Sequence, residues 1–159
     1  MIISRSDRPL RAEMDLQDLE IAKRRLSGET LTLCIVKDNK IIFETYSHGI
    51  SGFLAAIDKI GIKLKQASVA DRTAGKAIAL LCVYAKIKAV YAITLSRKGK
   101  ELLEENGVYH EWSCLVENIL DANKMGICPF EKLATEISSP SDAYERLKAL
   151  QHSLRCSSK

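Results

Sequence analysis

The sequence predicts an α/β domain with three layers, α/β/α, around a mixed sheet of about five strands, with a C-terminal helical extension. Three observations carry that expectation. Segments with apolar residues at helical spacing alternate with short apolar runs of strand length, the pattern of parallel strands joined by crossover helices. "LTLCIVK" and "KIIFETY" flank Asp38-Asn39 as an antiparallel hairpin, which makes the sheet mixed. The stretch from Arg72 to Ile87 is apolar nearly all round, as suits a helix enclosed between a sheet and other elements.

The elements follow in order. Residues 1–14 are polar, with Arg5, Arg8 and Arg11 around a proline, and read as a loosely held tail; residues 15–159 form one domain. From Asp15 the positions Leu16, Leu19, Ile21, Ala22 and Leu26 recur at helical spacing and end near Ser27-Gly28. After the hairpin, Ser51 caps a short helix carrying Phe53, Leu54, Ile57 and Ile60, and Gly61 stops it. "ASVA" is a strand buried on both faces, and the helix from Arg72 follows it. "KAVYAITL" is a further strand, Ser96 caps "RKGKELLEEN", Gly107 closes that helix, and "VYHEWSC" is a last, edge strand. Pro129 and Pro140 each mark the start of a helix in the extension.

Composition narrows the function classes. The 159 residues are 47% hydrophobic and 28% charged, ordinary for a soluble domain. A net charge of +4 with dispersed basic residues, three Phe and one Trp argues against a dedicated nucleic-acid reader. Five cysteines, Cys34, Cys82, Cys114, Cys128 and Cys156, are odd in number, lack CxxC spacing and read as buried reduced thiols of a cytoplasmic protein. No apolar run suits a signal peptide or approaches the roughly 20 residues of a membrane span, so neither secretion nor a membrane partner is expected.

"DRTAGKAIAL" and the later "CPFE" resemble a family of uncharacterised proteins with a cytidine-deaminase-like fold, over about Met14 to Ala134, and the element order matches that fold. The resemblance implies that the helix after the hairpin and the helix after the third strand bring their amino ends together, where a deaminase holds zinc. Here the metal motif is missing. His48 could offer a nitrogen, but Ile50 stands in place of the proton-shuttling Glu, no Glu occurs between Glu44 and Glu101, and Asp71 and Gly75 lie near the places of the two thiolates. No metal or other cofactor is expected, and zinc-dependent deamination is disfavoured.

The residues themselves suggest other chemistry. A helix starting at Asp71-Arg72 puts two cations, Arg72 and Lys76, where its dipole repels them, which calls for an anion: a capping Asp71, or the phosphate of a bound nucleotide or similar small molecule, with Gly75 allowing close approach. The "GK" is not a P-loop, because Ala70 replaces its first glycine and Ala77 its Ser or Thr. Ser47, His48 and Gly49 of "SHGISG" offer a second phosphate-sized loop, which the fold would set opposite Asp71. Cys128, before a helix start, and Glu131, in its first turn, complete the candidates. Binding of a nucleotide or phosphate ester at Asp71, Arg72, Gly75 and Lys76 is the leading expectation. Metal-independent catalysis by Asp71 or Cys128, with Glu131 as a further catalytic candidate, is the alternative, and a structural subunit without a site is the third. His110 and Trp112, alternating along the edge strand, are not read as catalytic. The apolar "KAVYAITL" leaves room for a homo-oligomer.

Overall fold

The structure, a computed structural model, describes residues 10–28, 30–121 and 123–157, with the side chains of 16–28, 30–121 and 123–156. A helix α1 (Leu10–Gly28) precedes the hairpin strands β1 (Leu33–Lys37) and β2 (Lys40–Thr45). Then come α2 (Ser51–Ile60), a 3-10 turn (Gly61–Leu64), β3 (Ser68–Ala74), α3 (Lys76–Tyr84), β4 (Ala89–Ser96), α4 (Arg97–Glu105) and β5 (Tyr109–Val116), followed by α5 (Pro129–Ala134) and α6 (Pro140–Ser157). The five strands lie in the order β2-β1-β3-β4-β5, with β1 antiparallel to both neighbours and β3, β4 and β5 parallel. This is the expected class: a mixed five-stranded α/β sheet with C-terminal helices.

Apolar patterning explains the layers. β1 and β3 are central, so their residues are buried on both faces, whereas β2 and β5 are edge strands with mixed exposure. On one face Ala22 and Leu26 of α1 pack with Leu31, Cys34, Val36 and Ala70. The larger cluster fills the other face, where Phe53 and Leu54 of α2 and Ile78, Leu80 and Leu81 of α3 meet Leu33, Ile35, Val69, Val90 and Ala92 from the sheet. Every residue of α3 from Ala77 to Cys82 is buried, because α4, α5 and α6 close over it.

The hairpin turn is fastened from outside. Asp38 and Asn39 both have positive φ, 53° and 66°, the backbone that type I′ turns require. Their amides donate to the carboxylate of the buried Asp18 on α1, at 3.0 and 2.8 Å. A helix on one face of the sheet thereby fixes a turn that lacks glycine.

Several boundaries and contacts depart from the expectations. α1 begins at Leu10 rather than Asp15; the rest of the expected tail, residues 1–9, lies outside the described residues. α2 takes Ile50 as its N-cap without a side-chain bond, and Ser51 instead accepts a hydrogen bond from Gln151 of α6 at 2.8 Å. β3 is longer than "ASVA" and runs through Asp71 and Arg72 to Ala74, because Thr73 and Ala74 still pair with Thr94 and Leu95 of β4. Consequently α3 starts at Lys76, and Asp71 is not its cap. Among the cysteines Cys34 and Cys82 are buried, but Cys128 is half-buried and Cys114 and Cys156 are exposed. Ser96 does cap α4, accepting from the Gly99 amide at 3.1 Å, and Gly107, at φ +68°, follows the helix end. No described helix is long and apolar enough to cross a membrane.

The Asp18 clamp gives a first prediction. Asp18→Ala leaves two turn amides without their acceptor and lowers stability by about 1–3 kcal/mol. Urea denaturation reads this as a lower midpoint at unchanged slope.

Candidate functional site

The site follows from the extension of β3. In a strand, alternate residues share a face. Val69, Asp71 and Thr73 therefore point towards α2 and α3, while Ala70 and Arg72 point towards α1. Arg72 spends its guanidinium there, its Nε donating to the Leu31 carbonyl and its Nη2 to that of Leu26. Beyond the carboxyl end of β3, the loop before α2 and the first turn of α3 meet around a cavity of about 170 Å³. His48, Gly49, Asp71, Arg72, Gly75, Cys128 and Glu131 all line it, with Thr32 and Thr73 adding hydroxyls and Phe130 and Ile78 apolar surface.

Asp71 is the chemical centre of this cavity. It is 7% exposed, and its Oδ1 accepts from the Thr73 amide at 3.2 Å. Burial pushes its carboxyl from 3.8 up to about 7, against the opposing pull of the Thr73 and Arg72 amides. Near neutral pH the group therefore exists both as a hydrogen-bond donor and as an acceptor. Cys82, behind it on α3, is pushed up by burial and by the Asp71 charge.

A second carboxyl faces the first turn of α3. Glu131 reaches across from α5, and its Oε2 and Oε1 accept the amides of Lys76 and Ala77, each at 3.0 Å. The N-cap residue Gly75 has no side chain to accept these bonds, so an acidic group from elsewhere occupies the positive end of the helix. Burial raises the Glu131 carboxyl, opposed by the two amides and by Lys98 and Lys76. The fit is close: a Cβ on Gly75 would stand 2.2 Å from the Glu131 carboxyl carbon, and one on Gly99 would stand 2.9 Å from the Gly75 carbonyl carbon.

Two sequence candidates are placed elsewhere. Lys76 lines a separate groove with Lys98, Glu101 and Glu105 rather than this cavity. Ser47 is exposed and does not line the cavity; its carbonyl accepts the Thr32 hydroxyl at 2.6 Å, which holds the loop against β1. Arg72 and Lys76 thus do not form the paired cationic face expected of a shared helix start. Thr32 and Thr73 went unnoticed in the sequence, although the period of two from Val69 through Asp71 to Thr73 is the signal that reveals the latter. Among the described residues no group of three His, Cys, Asp or Glu is arranged to hold a metal ion.

A cavity at the carboxyl end of a central strand, walled by two helix starts and two buried carboxyls, defines an α/β protein with a built polar pocket. The chain belongs to the TM1506 family, a domain of unknown function (DUF1893), whose model matches residues 21–150. It is similar to the crystal structure of a DUF1893 family protein from Thermotoga maritima, at 21% identity and a TM-score of 0.74, over 92% of this chain and 96% of that one. A weaker likeness, with a TM-score of 0.46 at 17% identity, is to a diaminohydroxyphosphoribosylaminopyrimidine deaminase/5-amino-6-(5-phosphoribosylamino)uracil reductase from the same organism, covering 76% of this chain and 39% of that one. RibD from Acinetobacter baumannii gives a TM-score of 0.40 at 22% identity, over 78% of this chain and 36% of that one. No curated protein sequence matches the chain significantly.

The carboxyls generate two predictions. Glu131→Ala strands two amides and lowers stability by about 1–3 kcal/mol. Gly75→Ala is destabilising by itself but less so in the Glu131→Ala background, so the double-mutant cycle shows a coupling of about 1 kcal/mol or more. For Asp71, the folded carboxyl keeps its proton up to about pH 7, whereas the unfolded one loses it near 3.8. The folded state therefore holds the extra proton between those values, and stability falls as pH rises through that window. The fall is up to about 4 kcal/mol. Thermal or urea melts of Asp71→Asn across the same window lack most of this decline.

Proposed function

We propose that this cavity binds a nucleobase-sized ring, presented as a base, nucleoside or nucleotide, with Asp71 as its hydrogen-bonding partner. The observation that supports this reading is a buried carboxyl near neutral pKa that lines the cavity, with its Oδ1 accepting the Thr73 amide at 3.2 Å. Such a group, as acid or as anion, pairs with ring nitrogens and exocyclic amines, which offer donors and acceptors side by side. Size agrees. About 170 Å³ is less than the roughly 300–1,000 Å³ of sites that enclose drug-sized ligands, and suits one ring rather than a whole nucleotide.

Charge sets the orientation. The cavity carries Asp71 and Glu131, and the α3 amides that would attract a phosphate are already bonded to Glu131. The ring therefore goes inward, and any sugar or phosphate extends outward past the exposed His48 and Gly49. This reading keeps the nucleotide-like ligand and moves its phosphate away from the helix start.

Thermal shift with free bases, nucleosides, nucleotides and inorganic phosphate tests the reading. At least one phosphate-free base or nucleoside is expected to raise Tm, with the rise lost in Asp71→Ala and kept in Lys76→Ala. If no such compound raises Tm, or the rise survives Asp71→Ala, the reading fails. A rise confined to phosphorylated compounds and lost in Lys76→Ala would restore the phosphate site at the start of α3.

A further inference from the structure

At the carboxyl end of α3 lies a larger open groove of about 630 Å³, between the end of α2 with its 3-10 turn and the end of α3 with α6. Tyr84 and Tyr144 stack in it, ring centroids 5.4 Å apart and nearly parallel at 3°. Lys148 lies over the Tyr144 ring at 5.1 Å, so the member of the pair with open ring surface is Tyr84, 38% exposed. The stack is held in place: Asp58 accepts from the Tyr144 hydroxyl and, at 2.9 Å, from Lys148.

The charges do not balance. Asp58 is the one carboxylate among the lining residues, and Lys148 and Tyr144 already engage it. The two cations of the lining, Lys65 and Lys86, have no acidic partner among the described residues. They are also brought together by the backbone, because the Gln66 amide donates to the Lys86 carbonyl at 2.8 Å. Gln66 and Lys86 both hold φ near +60°, at 67° and 60°, a conformation that side chains other than glycine seldom adopt. Two lysines carried on neighbouring backbone and lining one groove with an exposed aromatic face form a complementary surface for an aromatic anion.

We propose that this groove is a second ligand site, separate from the Asp71 cavity, which takes a nucleotide with its base on Tyr84 and its phosphate between Lys65 and Lys86. The volume is within the range of sites that enclose such molecules. Here the cations, absent from the Asp71 cavity wall except for an Arg72 bonded elsewhere, supply the anion recognition.

Calorimetric titration of full-length Asp71→Ala with AMP, ribose 5-phosphate and adenosine tests the site. AMP is expected to bind saturably, at least about tenfold more tightly than either fragment. Adding Lys65→Ala/Lys86→Gly in that background lowers the affinity for AMP by about tenfold or more. Lys86→Gly also relieves the backbone at that position, so the variant keeps its fold, as circular dichroism checks. Asp71→Ala disables the cavity of the proposed function, so binding retained in that background belongs to the groove. The proposal is overturned by absence of binding up to about 5 mM AMP. It is equally overturned by full affinity when Lys65→Ala/Lys86→Gly is added to Asp71→Ala, or by ribose 5-phosphate matching AMP.

Discussion

Around the contact between the Glu131 carboxylate and the first amides of α3, much of the molecule is arranged. A helix buried on every side cannot leave its leading N–H groups to water, and Gly75, its N-cap, offers no acceptor. Supplying the acceptor from α5 solves that problem and fixes α5, which in turn walls the cavity through Cys128, Phe130 and Glu131. The same contact dictates glycine at position 75, and the approach of α4 to that backbone dictates it at 99. The polar pairing thereby sets position 75 and docks α5 on α3, and the close approach of α4 to the same backbone sets position 99.

The architecture was largely legible because it depends on periodicity. The alternation of apolar helices with short strands, the hairpin around Asp38-Asn39, the enclosed helix after β3 and the Ser96 cap all leave local marks in the sequence, and all are present in the structure. What misled was a residue with two readings. Asp71 before a basic, alanine-rich stretch resembles an N-cap, yet pairing with β4 carries the strand past it to Ala74. A parallel partner 21 residues further along the chain decides that, and no local propensity records it. The shift moves Arg72 to the opposite face of the sheet and takes Lys76 out of the cavity. Likewise Ser51 has the chemistry of a cap but serves α6 instead.

The charge puzzle of "DRTAGKA" has an internal answer. The stretch does call for an anion at the start of α3, and the chain itself supplies one from more than fifty positions downstream. A carboxylate there makes the cavity more hospitable to nitrogen-rich groups than to phosphate. His48, Gly49, Asp71, Gly75, Cys128 and Glu131 were legible as chemistry-bearing residues, and the fold gathers them at one cavity. The sign of the ligand charge was not legible, because it depends on which amides are already satisfied.

The long reach of Glu131 also shapes the order in which the protein is built. The sheet is complete in sequence at β5, yet the amino end of its buried crossover helix has no partner until α5 follows. During synthesis all five strands therefore precede the carboxylate that caps α3 in the finished fold. Closing such a distant contact is slow relative to local pairing. Final locking of the core therefore waits for the last helices, and truncation after β5 leaves a nascent chain exposed to chaperones and proteases.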